Sequence, residues 1–128
     1  MILDSSAILS IVYREPEYDV LVAKILNAPL AGIGTPTLVE TGIVLTARLG
    51  PFARGIVERF LDEFQVVEVP FGERHWRTAV DAFERFGRGR HPAGLNFGDC
   101  LAYASASVAD EELLYVGDDF QHTDVRVA

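Results

Sequence analysis

Four carboxylates carry most of the chemistry this sequence offers: Asp4, Glu40, Asp99 and one of the neighbours Asp118 and Asp119. They are far apart along the chain, yet Asp4 and the Asp118-Asp119 pair follow strands, and Glu40 and Asp99 lie in the opening turns of helices. If folding brings them together, two unit charges about 4 Å apart repel by about 4 kcal/mol at an effective dielectric near 20. Such a group either takes up protons or shares a counter-ion. A hard divalent cation, Mg²⁺ or Mn²⁺, prefers oxygen ligands of this kind. A cation so held can lower the pKa of a water for in-line attack on a phosphodiester and neutralise charge on the phosphate oxygens. The spacing argues against zinc, because His75, His91 and His122 form no ligand pair and Cys100 is the single cysteine.

Each acid also has a bland reading. Asp4 would cap the helix that follows it. Glu40 lies three residues after Thr37, the spacing of a capping box. Asp99 near a helix start is favoured by the macrodipole, and Gly117-Asp118-Asp119 is ordinary turn chemistry. The functional reading rests on the set, since Ser, Thr or Asn would cap as well and all four sites are ionisable.

The elements that must position these groups alternate. Met1-Ile2-Leu3 begins a strand, and Asp4-Ser5-Ser6 caps a helix carrying Ala7, Ile8, Ile11 and Val12. Glu15-Pro16 opens a second helix with Leu21, Val22, Ile25 and Leu26 at helical spacing. A connection with a brief strand covers 29–34, and Thr35-Pro36-Thr37 starts a helix to about Leu49, punctuated by Gly50-Pro51. A fourth helix shows Ile56, Val57, Phe60, Leu61 and Phe64 on one face, followed by a β-branched strand at 66–69. A long helix carries Trp76, Ala79, Val80, Phe83 and Phe86. A Gly-, Arg- and Pro-rich loop over 87–94 leads to a helix from about Asn96 to Ala109. Leu113 to Val116 reads as a strand, and Thr123 to Val127 as a last one. Strands separated by helices predict a mostly parallel sheet of four to five strands with helices on both faces, in one domain over 1–128. In that architecture chemistry belongs beyond the carboxyl ends of the strands, where Asp4, Glu40, Asp99 and Asp118-Asp119 fall.

Composition narrows the function classes. The chain has 128 residues, 49% hydrophobic and 23% charged, which excludes disorder. Nineteen acids against eleven bases give a formal net charge of −8, and Lys24 is the only lysine. Bulk charge therefore repels nucleic acid, and a phosphodiester substrate would need a bound cation to draw it in. A lone cysteine, no apolar run of membrane-spanning length and no signal-peptide pattern predict a cytoplasmic protein without a membrane partner. Arg88, Arg90 and His91 form the one local basic cluster, fit either to grip phosphates or to sit as a solvated loop. Asn96 is a helix cap or a hydrogen-bond partner of a ligating carboxylate. Ser5 and Ser6 are caps or contacts to an activated water. Trp76, Tyr103 and the phenylalanines are assigned to the core rather than to base stacking, because of their helical spacing.

Four segments, MILDSSAIL, TPTLVETGIVL, RHPAGLNFGDCLAYA and LLYVGDDFQHTDV, resemble in order and over nearly the whole chain the PIN-domain nucleases of the VapC toxin type. The resemblance implies a three-layer PIN-like sandwich and Mg²⁺- or Mn²⁺-dependent endoribonuclease activity. It also implies an RNA substrate, a homodimer and a VapB-like antitoxin partner. By position it assigns the metal to Asp4 and Asp99, with Glu40 as the second acid. The T-x-D pattern of many members falls here on Tyr115 and Gly117, which makes Asp119 the first choice for the fourth acid and Asp118 the second. Two rival classes are a non-catalytic PIN-like domain that binds antitoxin or RNA, and an aspartate-based phosphoryl-transfer domain. The second rival calls for a lysine near the site, and Lys24 lies mid-helix.

Overall fold

Alternation of side chains along two short strands decides the layering. In a computed structural model that describes all 128 residues, β1 (Ile2–Leu3) pairs with β4 (Leu113–Leu114) in parallel, Ile2 opposite Leu113 and Leu3 opposite Leu114. Successive strand residues point to opposite faces. Ile2 and Leu113 therefore enter one core and Leu3 and Leu114 the other, and all four are buried. Between these strands and on their flank lie α1 (Ser5–Val12), α2 (Tyr18–Asn27), β2 (Gly32–Gly34), α3 (Thr35–Leu49), a 3₁₀ turn at Gly50–Phe52, α4 (Ala53–Glu63), β3 (Val67–Val69), α5 (Glu73–Phe86) and α6 (Phe97–Ala109).

The sheet order is β3-β2-β1-β4, every pair parallel. One face is covered by α5 and α6, through Ala79, Ala82, Phe86, Ala102 and Tyr103. The other is covered by α1, α2 and α4, through Ala7, Ile8, Ile11, Leu21, Ile25 and Phe60. This is the expected three-layer α/β architecture. Burial on both faces explains why β1 and β4 read as unbroken apolar runs, whereas the edge strand β3 carries the exposed Glu68. The chain moves outward from β1 to β2 and β3, then returns to place β4 on the other side of β1. The crevice between β1 and β4 is thus the point where strand order reverses, the place where doubly wound sheets hold their chemistry.

Four expectations are corrected. The second helix begins at Tyr18 rather than at Glu15-Pro16, because Glu17 adopts a left-handed conformation (φ 70°) that ends the preceding turn. The fourth strand stops at Leu114, since the next ladder donor, Val116 N–H, bonds the Ser6 hydroxyl at 3.0 Å. The last strand is a single bridge between Leu113 and Val127, so the sheet has four strands. Upstream of that bridge the Thr123 hydroxyl donates to the Phe120 carbonyl at 2.7 Å and turns the chain. Finally, α5 turns Ala79, Ala82 and Phe86 inward while Trp76, Val80 and Phe83 are 40–51% exposed. A long amphipathic helix needs only one buried stripe.

Candidate active site

Three of the carboxylates gather at the carboxyl edge of the sheet because three elements end or begin there. Asp4 closes β1 and caps α1: its Oδ2 accepts from the Ser6 amide at 3.1 Å and from the Ser6 hydroxyl at 2.6 Å. That hydroxyl also accepts the Val116 amide, so one serine ties the end of β1 to the chain leaving β4. Asp99 sits in the first turn of α6, where a capping box binds it. Asn96 Oδ1 accepts from the Asp99 amide and Asp99 Oδ2 accepts from the Asn96 amide, both at 2.9 Å, and Asp99 Oδ1 is left open. Glu40 projects from α3 toward the same turn, and its carboxylate lies against Gly98.

The electrostatics bind these groups into one site. Asp4 is 6% exposed and Asp99 8%. Burial first, then the negative charges of Asp119, Asp4 and Glu40, raise the Asp99 carboxyl to about 6 against the lowering bond from the Asn96 amide. Burial likewise raises the Asp4 carboxyl, against the lowering bonds from Ser6 and with added repulsion from Glu40. None of the protein's six ion pairs includes Asp4, Glu40, Asp99 or Asp119; Arg54, Arg59, Arg77, Arg85 and Arg126 all pair elsewhere. A buried acid without a cation partner costs free energy that the fold itself does not recover. The donors are all hard oxygens, and their unbalanced charge fits a divalent cation. No three of them stand close enough to form a ligand set by themselves.

The two candidates for the fourth acid separate. Asp119 acts on Asp99, whereas the charge of Asp118 acts on the Tyr115 hydroxyl. Asp119 is exposed but its successor Phe120 is buried at 2% and packs on Tyr115 with ring centroids 4.9 Å apart, which anchors the turn. The remaining candidates divide in the same manner. Arg88 and Arg90 are exposed and unpaired, Arg90 lying over the Phe83 ring at 5.7 Å. His91 is spent on its loop, accepting the Ala93 amide on Nδ1 at 3.1 Å and meeting Phe86 edge-on. Asn96 is the helix cap. Ser5 opens α1 and offers Asp4 only its backbone amide; the side-chain bond to Asp4 comes from Ser6.

Two bland readings fail. Thr37 lies inside α3, whose N-cap is Gly34, so no Thr37–Glu40 capping box exists. Phe97, assigned to the core, is 81% exposed and shares with Glu40, Val39 and Ile43 the wall of a cleft of about 540 Å³. Sequence reasoning also missed Gly98; its signal was a glycine immediately before an acid in a helix's first turn. Lys24 does not approach the acids. It bonds the Ala128 carbonyl at 2.8 Å beside Met1, at the amino end of β1, which removes the support for phosphoryl transfer through an aspartate and a lysine.

The PIN-domain family pattern matches residues 1–126 of the chain. Ribonuclease VapC36 of Mycobacterium tuberculosis is 45% identical over 131 aligned positions, covering 98% of this chain and 91% of the relative. Ribonuclease VapC28 of the same organism is 40% identical, covering 100% and 97%. Among solved structures, M. tuberculosis VapC20, described as a sarcin–ricin loop cleaving toxin, superposes with a TM-score of 0.77 at 14% identity, covering 99% of this chain and 97% of that one. The VapBC2 complex of Rickettsia felis, bound to a promoter DNA fragment, gives 0.76 at 11% identity, covering 98% and 94%.

Proposed function

The chain belongs to the PIN-domain family and its VapC ribonuclease branch, and from that premise we propose that it is the endoribonuclease toxin of a toxin–antitoxin pair, hydrolysing RNA phosphodiesters in the crevice between β1 and β4. The observation that carries this reading is the shared, unpaired negative charge of Asp4, Glu40, Asp99 and Asp119. Asp4 and Asp99 hold Mg²⁺ or Mn²⁺, and when bound the ion supplies charge neutralisation at the phosphate and acidifies water. Ser6 fixes the Asp4 carboxylate, and the α6 capping box fixes that of Asp99. Glu40 and Asp119 complete the acidic wall, where a carboxylate can orient or deprotonate the attacking water. Arg88 and Arg90 meet the RNA backbone, an arrangement consistent with local phosphate contact in a protein whose net charge is repulsive.

The VapBC2 complex among the structural neighbours supports a VapB-like antitoxin as the protein partner. Val39 and Ile43 on α3, with Phe52 beside α4, are exposed apolar residues available to bury against that partner or a second copy in a homodimer. No helix is long and apolar enough to cross a membrane, and we assign the protein to the cytoplasm.

The test is cleavage of a panel of structured RNAs by purified protein. Activity is expected with Mg²⁺ or Mn²⁺, to vanish with chelator and to return when the metal is restored. Metal-independent cleavage, or none on any RNA by protein freed of antitoxin, would overturn the reading in favour of a different mechanism or a non-catalytic binder. The fourth acid has its own test. Asp119→Asn should lower the initial rate about tenfold or more, in the range of losses at groups supporting a metal site. Asp118→Asn should stay within about twofold. The reverse order would transfer the role to Asp118.

A further inference from the structure

We propose that Gly98 is a positioning residue: its bare Cα is the seat in which the Glu40 carboxylate rests beside Asp99. Gly98 is buried in the first turn of α6. Its backbone does not call for glycine. The glycines with positive φ are Gly50, Gly89, Gly94 and Gly117, and Gly98 is not among them. A helix also loses intrinsic stability at a glycine relative to alanine. The reason is space. A Cβ built on Gly98 would fall on Glu40 Oε2 and lie 3.0 Å from its Cδ and 3.3 Å from Oε1. The three nearest atoms all belong to that carboxylate, whereas Gly42 and Gly55, also helical, have nothing within 4 Å of such a Cβ.

The consequence is selective. Glu40 is half-buried and long, so a methyl group at 98 would swing its carboxylate away and leave the backbone of α6 in place. Asp99 follows immediately, so the same missing side chain sets how near two of the site's acids can come. The proposal rests on the ribonuclease reading above, in which Glu40 serves the reaction.

The experiment is a double-mutant cycle between Gly98→Ala and Glu40→Ala, read by RNA cleavage, by thermal melting and by Mn²⁺ affinity from paramagnetic resonance of the metal-free protein. Gly98→Ala is expected to melt at or above the wild-type temperature, to lose about tenfold or more in cleavage, and to change Mn²⁺ affinity in the same direction and proportion as Glu40→Ala. In the Glu40→Ala background it should do nothing further, since its target is gone. If Gly98→Ala alone fails to fold, the double variant should fold, the displaced group having been removed. Loss in Glu40→Ala with full activity in Gly98→Ala sinks the positioning role alone, as does an equal loss from Gly98→Ala in both backgrounds. Full activity in Glu40→Ala sinks the assignment of Glu40 and the positioning role together.

Discussion

Asp99→Asn is expected to act in opposite directions on activity and on stability. Cleavage should fall by more than about a hundredfold, because the variant removes a charged oxygen from the site we propose to hold a cation. The metal-free protein, however, should become more stable at neutral pH. Burial and three neighbouring acids raise the Asp99 carboxyl to about 6 in the folded protein, against about 3.9 in an unfolded chain. The folded state therefore binds this proton more tightly. Stability falls as pH rises between those two values, and the full cost, about 3 kcal/mol, is present above pH 6. Asparagine cannot ionise, yet its side-chain oxygen can still accept the Asn96 amide and preserve the cap. Thermal melts without metal should show the variant several degrees above wild type at pH 7.5 and level with it near pH 4. Asp4→Asn should follow the same pattern, since burial raises that carboxyl too. A variant that cleaves RNA normally, or that melts lower at neutral pH and equally low in acid, would contradict the assignment.

That trade-off shows which parts of the molecule a sequence can display. The acids were legible because the rule that places chemistry at the carboxyl edge of a parallel sheet needs only strand ends, and short β-branched or apolar runs mark those ends. Asp4 also caps α1 and Asp99 closes the capping box of α6, and such motifs are local enough to read from neighbours. Choices that depend on distant partners were hidden. Whether Val116 continued a strand depended on a serine 110 residues away. Gly98 looked like an unfavourable helix residue until Glu40 arrived from another helix. Phe97 fitted a core pattern, because helical spacing defines a stripe but not which neighbour, if any, covers it. The capping-box spacing of Thr37 and Glu40 misled for a related reason: α3 starts at Thr35 behind Gly34, three residues earlier than that motif requires.

Added Mn²⁺ should stabilise the metal-free protein strongly at pH 7.5 and weakly at pH 5. Ligand carboxylates must give up their protons before they can coordinate, so cation and proton compete for the same oxygens. At pH 7.5 an Asp99 carboxyl of pKa about 6 is already ionised; at pH 5 most of it is protonated. The apparent affinity should therefore drop by about tenfold for that one proton, and by more with the raised Asp4 carboxyl included. At a free concentration of 100 times the dissociation constant, mass action adds about 2.7 kcal/mol to stability, a shift that differential scanning calorimetry resolves easily. The cation also removes the repulsion that makes the empty site costly. Wild-type protein without metal should thus lose stability toward neutral pH, while Mn²⁺-loaded protein should lose little or gain. Asp118→Asn should respond like wild type, and Asp4→Asn and Asp99→Asn should respond hardly at all. A response of equal size at both pH values, or one retained in Asp99→Asn, would mean that the ion binds somewhere other than between these two aspartates.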